Sequence, residues 1–193
     1  MTQNLAEIDR YIAEAIRVRR AIQVYDELYC SEESVEILLD KAGRVFGVLQ
    51  RALHDEIVIS LSRLFDSLGY DTKHGHKDYL SQFNIVKANE SLLTDREQEL
   101  RKRTAALKEE IDIKNYRDLK IAHNDKESLL ARDKTVKHAL TSEKVKELID
   151  VSIQLMVSIK RQITGSEKVS LPMNLAEKYE GYGLELVGSL KKI

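Results

Sequence analysis

The sequence predicts an all-α protein, an antiparallel helical bundle of about four main helices plus short helices. Three observations predict this fold class. Apolar residues recur at helical spacing over long stretches of the chain. Charged residues make up 33% of the 193 residues, which suits long helices with solvated faces. Aromatic residues reach only 6%, with one proline and no tryptophan, whereas strands and turns favour aromatic residues, glycine and proline.

The first two helices are predicted from apolar periodicity and one capping residue. The first spans about residues 5–29, and the second begins after Ser31, a good N-cap, and ends near Phe65. No proline interrupts the second helix, so its predicted length is roughly 50 Å at 1.5 Å per residue. Segments 35–39 and 57–61 are apolar on more than one face, which predicts burial between neighbouring helices.

Turn and capping signals divide the rest of the chain. Thr94 with Glu97 forms a capping box at the start of a third long helix, and Gly165 marks the end of the last one. The predicted order is a break at 66–77, a short helix over 78–87, a third long helix over 94–121, an irregular stretch over 124–140, and a final helix from Thr141 or Ser142 to Thr164.

Two units follow from this division. Residues 1–165 form one helical bundle domain, and residues 166–193 form a tail that contains the only proline, Pro172. The tail is too apolar to be a free solvated segment. We therefore expect it to dock on the bundle or on a partner subunit.

The composition and the N-terminal sequence limit how the protein can bind nucleic acid and where it is located. A formal net charge of −1 excludes nucleic-acid binding by bulk charge alone. The single cysteine, Cys30, cannot form an internal disulfide, which favours a reducing compartment. The N-terminal residues are not those of a signal peptide, and no apolar run approaches the ~18 residues of a membrane span. The sequence predicts a cytoplasmic protein that does not contact the membrane.

The segment from Tyr116 to Asp125 carries the strongest chemical signal. Arg117 is followed directly by Asp118, and His123 comes after five intervening residues. Arginine binds phosphate through a planar fork of donors, and histidine transfers protons near neutral pH. Such a pair is suited to metal-free chemistry on a phosphodiester. Asn124 lies seven positions after Arg117, on the same face of an ideal helix.

This motif resembles the signature of the HEPN superfamily (higher eukaryotes and prokaryotes nucleotide-binding), in which an arginine and a polar residue precede a histidine. The segment Arg63-Leu64-Phe65-Asp66 also resembles a helix end found in HEPN-like proteins of phage abortive-infection systems. Asp66 with Arg63 is either a supporting element of the site or an ion pair at a helix end. The resemblance covers roughly residues 36–165.

The resemblance implies both a fold and an activity. HEPN proteins are α-helical bundles that commonly dimerise, with the motifs of two subunits in one cleft. Many are metal-independent endoribonucleases that act as toxins or antiviral effectors. The implied partners are a second copy of the chain, RNA and an antitoxin protein, with no cofactor and no metal. The implied site consists of Arg117 on the phosphate, His123 as base or acid, Asp118 orienting either of them, and Asn124 in support.

Helix geometry makes the dimer part of this hypothesis. Six positions on an ideal helix place Arg117 and His123 about 120° apart and ~9 Å along the axis. One subunit would not bring the two side chains together, whereas a symmetric dimer presents two motifs to one groove.

Two alternatives remain open. One is a catalytically inactive HEPN-like module that binds a protein or a nucleotide. The weaker one is a metalloprotein that uses His74 and His76, with Asp71 and Asp78 nearby. The remaining histidines, His54 and His138, stand alone in the sequence and carry no predicted chemistry.

Overall fold

The fold was analysed in a computed structural model, in which residues 2–66, 69–118, 140–166 and 181–193 are described. The all-α prediction is confirmed, with one small β-hairpin added. The elements are α1 (Thr2–Tyr29), α2 (Glu32–Phe65), β1 (Tyr70–Thr72), β2 (Gly75–Lys77), α3 (Gln82–Ala88), a 3-10 turn (Glu90–Leu92), α4 (Asp95–Ile111), α5 (Ile113–Arg117), α6 (Ser142–Thr164) and α7 (Tyr182–Leu190). No described helix is long and apolar enough to cross a membrane.

The main core lies where α1, α2, α4 and α6 pack together. In α1, apolar residues that recur every three or four positions from Ile8 to Ile22 are buried, and a similar row is buried in α6. Tyr11 on α1 is hydrogen-bonded to Ser152 on α6 at 2.7 Å, and Asp9 pairs with Lys160 further along the same helix. Contacts between the start of one helix and the end of the other show that α1 and α6 run antiparallel.

The second helix has the predicted limits but not the predicted straightness. Ser31 is its N-cap and accepts a hydrogen bond from the Ser34 backbone N–H. A kink at Ala42, where φ is −160° and ψ is 52°, divides it. The prediction that segment 57–61 is buried is confirmed at Val58 and Leu61.

The matching prediction for segment 35–39 is wrong at one residue. Leu38 is buried, but Leu39 is 64% exposed. The same exposure continues along α2 at Val45, Val48 and Leu49. Within the described part of the chain, one face of the middle of α2 is therefore apolar and uncovered.

The predicted break at 66–77 contains the hairpin. Strands β1 and β2 pair antiparallel with Asp71 opposite His76, and Gly75 takes the positive φ that the turn requires. The short helix predicted over 78–87 begins later, at Gln82, because the Ser81 hydroxyl accepts from the Asn84 N–H and caps it there.

The third long helix is predicted wrongly as one element. Its capping box at Thr94 and Glu97 is confirmed, but the helix ends at Ile111. Asp112 takes the left-handed conformation, with φ 51° and ψ 47°, and its backbone N–H bonds to the carbonyl of Lys108. Aspartate tolerates this conformation better than most residues do. The chain therefore turns at Asp112 and begins the short α5 in a new direction.

The last long helix agrees with its prediction. Thr141 caps α6 by accepting from the Lys144 N–H, and Gly165 ends it in the left-handed conformation, with φ 63°. The irregular stretch predicted over 124–140 lies outside the described residues except for Leu140.

The described end of the predicted tail packs against the bundle. Glu27 on α1 accepts hydrogen bonds from the backbone N–H groups of Gly181 and Gly183, each at 2.8 Å. These N–H groups lie at the start of α7, where a carboxylate is favoured by the helix dipole. Leu28, Leu38 and Val187 form a second, smaller core beneath α7. The division of the chain at residue 165 stays a prediction.

Candidate functional site

Arg117, the last residue of α5, lies between two carboxylates. Its Nε donates to Asp118 Oδ1 at 2.8 Å, and its Nη2 lies 2.7 Å from the same oxygen. Its Nη1 lies 3.7 Å from Oδ1 of Asp66, the residue that caps the C-terminal end of α2. The Arg117 side chain is 23% exposed. The structure therefore brings together Arg117, Asp118 and Asp66.

Two lysines add positive charge around this arginine. Lys108 on α4 donates to the backbone carbonyl of Phe65 at 2.6 Å, which satisfies an acceptor at the end of α2. Burial lowers the pKa of Lys108; nearby Lys114 acts in the same direction and Asp66 opposes it. The ends of α2, α4 and α5 thus meet in one cluster of three cations and two carboxylates.

His54 lies against the motif, although the sequence analysis gave it no chemistry. Its Nε2 is 3.1 Å from the hydroxyl of Tyr116, and its Nδ1 is 3.2 Å from Oδ1 of Asp55. Burial raises the pKa of the Tyr116 hydroxyl, and the charge of Asp55 adds to this effect. The sequence offered only the adjacent pair His54-Asp55 as a signal, because Tyr116 lies 62 positions away.

A cavity of about 180 Å³ opens beside this histidine. Tyr25, His54 and Tyr116 line it together with Thr141 and Ser142, over an apolar floor formed by residues of α1, α2 and α6. The rings of His54 and Tyr116 meet edge to face, with centroids 5.7 Å apart. The start of the motif therefore borders a small, partly aromatic cavity.

The other two predicted site residues, His123 and Asn124, lie outside the described residues. The predicted pairing of Arg117 with His123, within one subunit or across two, stays a prediction. Asp118 contacts Arg117, which is one of the two orienting roles expected for it.

The histidines of the hairpin do not assemble a metal site. His76 Nδ1 lies 2.8 Å from Asp71, and its Nε2 lies 3.5 Å from Asp78. The hydrogen bond with Asp71 raises the pKa of His76. Across the described ranges, no group of three or more histidine, cysteine or acidic side chains is placed to hold a metal ion. The metalloprotein alternative thus has no support in this part of the chain.

Comparison with known proteins gives one match. Residues 6–185 match the family HEPN_AbiU2, described as AbiU2. The comparison with curated proteins finds no match, and neither does the comparison with solved structures. The family match covers α2 to α6 completely, α1 and α7 in part, and the whole segment from Tyr116 to Asp125.

Proposed function

The chain belongs to the AbiU2 family of the HEPN superfamily, which is of the abortive-infection type, and from this premise we propose that it is a metal-independent endoribonuclease of the toxin or phage-defence type. Its RNA substrate is cleaved by attack of a ribose 2′-hydroxyl on the adjacent phosphate. The site is shared across a homodimer, and an antitoxin protein is the proposed natural inhibitor.

The observation that carries this proposal is the fixed arginine of the motif. Asp118 and Asp66 contact the guanidinium of Arg117, and the Arg117 side chain remains partly exposed. A phosphate bound there has its developing negative charge stabilised by a cation that is already oriented. Lys108 lies close enough to Asp66 and to Lys114 for their charges to interact.

In the proposed mechanism His123 moves the protons. It takes the proton of the 2′-hydroxyl or supplies one to the leaving 5′-oxygen, and the second motif of the dimer performs the other transfer. The products are a 2′,3′-cyclic phosphate and a free 5′-hydroxyl. Asn124 supports His123 in this proposal.

The exposed apolar face of α2 supports dimerisation. Val45, Val48 and Leu49 follow the i, i+3, i+4 spacing of one helix face, and they are 58%, 69% and 49% exposed. A second copy of the chain is the occupant that the HEPN resemblance implies. Replacing Val48 and Leu49 together by aspartate should yield a folded monomer in light scattering. The matched change Leu184→Asp, at an exposed leucine of α7, should leave the dimer intact.

The decisive experiment measures cleavage of a labelled RNA with EDTA present. We expect wild-type protein to cleave, and both Arg117→Ala and His123→Ala to lose cleavage while remaining folded. Arg96→Ala and His74→Ala are matched controls, because both side chains are exposed and Arg96 lies at the opposite end of α4. Unchanged cleavage in both motif variants would refute the proposal.

A second candidate function is a catalytically inactive HEPN-like module that binds a protein or a nucleotide. The observation that favours it is that Arg117 is paired with two carboxylates in a chain of net charge −1. The salt dependence of RNA binding distinguishes the nuclease from the inactive module. A nuclease that contacts several phosphates loses RNA affinity steeply with rising salt, whereas a protein-binding module shows no RNA affinity to lose.

A further inference from the structure

A groove lies between α3 and α4, and Lys108 is one of its lining residues. It has a volume of about 420 Å³, within the range of small-molecule sites. Phe65 and Val86 form a buried apolar floor. Lys87, Arg101 and Lys108 line its rim. The groove thus combines an apolar floor with positive charge.

Gln82 forms part of the wall of this groove. The residue is only 8% exposed, and its Nε2 donates to Thr104 Oγ1 at 2.7 Å. The Thr104 hydroxyl donates its own proton to the carbonyl of Arg101 at 2.9 Å, so the amide nitrogen of Gln82 must face Thr104. Its Oε1 is then left buried, without a partner among the described residues. Because this oxygen is not accessible, the contacts with a ligand fall to the exposed residues of the groove.

Phe83 supplies an exposed apolar surface to this groove. Its side chain lines the groove and is 40% exposed. Exposed aromatic rings beside cations are the elements with which proteins bind single-stranded nucleic acid, because every base has a face that stacks.

The charge of the groove favours an anion. Its lining carries three cations, Lys87, Arg101 and Lys108, against one carboxylate, Glu90. Arg101 Nη1 lies 3.3 Å from Glu90. Because this ion pair is exposed, it contributes little to stability, and a phosphate can replace Glu90 as the partner of Arg101. This local excess of positive charge contrasts with the net charge of −1 of the whole chain.

We propose that this groove binds one nucleotide of a single-stranded RNA. The base stacks on Phe83, while a phosphate lies near Lys87 and Arg101. The choice of RNA over a free nucleotide rests on the proposed function. Lys108 belongs to both the groove and the cluster around Arg117, so one strand can follow a continuous basic path between them.

Binding of a labelled six-nucleotide oligoadenylate tests this site without requiring cleavage. All variants are made in the full chain carrying His123→Ala and measured by fluorescence anisotropy. Phe83→Ala and Lys87→Ala should each weaken binding by roughly fivefold or more. Tyr182→Ala and Lys192→Ala, at an exposed aromatic residue and an exposed lysine of the C-terminal segment, should not. Equal affinity in all four variants would overturn the proposal.

A binding measurement with free adenosine monophosphate shows whether the groove binds a free nucleotide or a nucleotide within RNA. Weak binding of the monophosphate together with tighter binding of the oligonucleotide supports an RNA site. Binding of the monophosphate without any RNA binding would overturn it. The nuclease proposal can fail separately from this one. If wild-type protein binds RNA through Phe83 and Lys87 but never cleaves it, the nuclease proposal is refuted and the groove assignment stays intact.

Discussion

The hydroxyl of Tyr116 lies 3.1 Å from Nε2 of His54, and this contact joins α5 to α2 one residue before Arg117. Arg117 itself contacts Asp66 at the end of α2. The short α5 is therefore attached to α2 at two successive residues. Since a helix of five residues has little stability of its own, these contacts determine where the guanidinium is held.

The first prediction concerns this contact. Tyr116→Phe removes the hydroxyl and should lower the free energy of unfolding by about 1 kcal/mol. A double-mutant cycle with His54→Leu, measured by urea denaturation, should give a coupling energy of about 0.5–1.5 kcal/mol. Tyr116 has further interactions, so the cycle rather than the single variant isolates the pair. Additive effects would show that the contact contributes nothing.

The second prediction concerns acid stability through Glu97. The side chain is 1% exposed. Burial by itself raises its pKa, but hydrogen bonds from the Ser158 and Thr94 hydroxyls and the Thr94 N–H lower it to about 2, against an ordinary value of 4.5. Glu97 therefore contributes stability that is fully present above pH 4.5 and is lost as the pH falls toward 2.

The test compares urea unfolding of wild-type protein and Glu97→Gln between pH 7 and pH 3. We expect the variant to be about 1–3 kcal/mol less stable at pH 7 and the difference to shrink on acidification. The control is Glu109→Gln, at an exposed position of the same helix. A constant difference at every pH would rule out the charge of Glu97 as its cause.

The third prediction concerns the docking of α7. Glu27→Gln replaces one accepting oxygen with an NH₂ group that faces a backbone N–H, and should weaken the docking by about 1–3 kcal/mol. Hydrogen exchange in residues 182–190 should accelerate more than in α6. Glu33→Gln is the matched control, because Glu33 pairs with Lys191 at the surface and is 73% exposed. Equal acceleration in both variants would argue against a special role for Glu27.

The fourth prediction concerns the turn at Asp112. Asp112→Gly should change the free energy of unfolding by less than about 0.5 kcal/mol, since glycine accepts a positive φ without strain. Asp112→Val should cost about 1–2 kcal/mol, because a β-branched residue is strained in this conformation. Thermal and urea unfolding measure the free energy of unfolding of both variants. The control is Glu109→Val, on an exposed face of α4. It should lower the free energy of unfolding by less than Asp112→Val does, because only helix propensity changes there.

The sequence predicted best those features that depend on neighbouring residues. Ser31, Thr94 and either Thr141 or Ser142 were predicted as helix starts, and Gly165 as a helix end, because a cap bonds within a few positions of itself. The end of the third helix was missed, because aspartate at 112 is compatible with either a helix interior or a turn. Packing decides between the two conformations, and packing is not visible in a local pattern.

The surroundings of the motif could not be predicted for the same reason. Arg117 and Asp118 are adjacent in sequence, so their contact was among the expected roles. The contacts of Arg117 with Asp66 and of Tyr116 with His54 join residues about fifty to sixty positions apart. The orphan oxygen of Gln82 likewise depends on Thr104, on another helix. Only the fold brings these partners together.

The contact between Glu27 and Gly181 also constrains the order in which the protein assembles. It joins residues 154 positions apart, so it forms only after the ribosome has made almost all of the chain shown. Until then Leu28 and Leu38 lack the cover that α7 gives them. A chain whose synthesis stops before residue 181 would keep this apolar surface exposed, which chaperones and proteases recognise. Completion of α7 thus covers the apolar surface of Leu28 and Leu38.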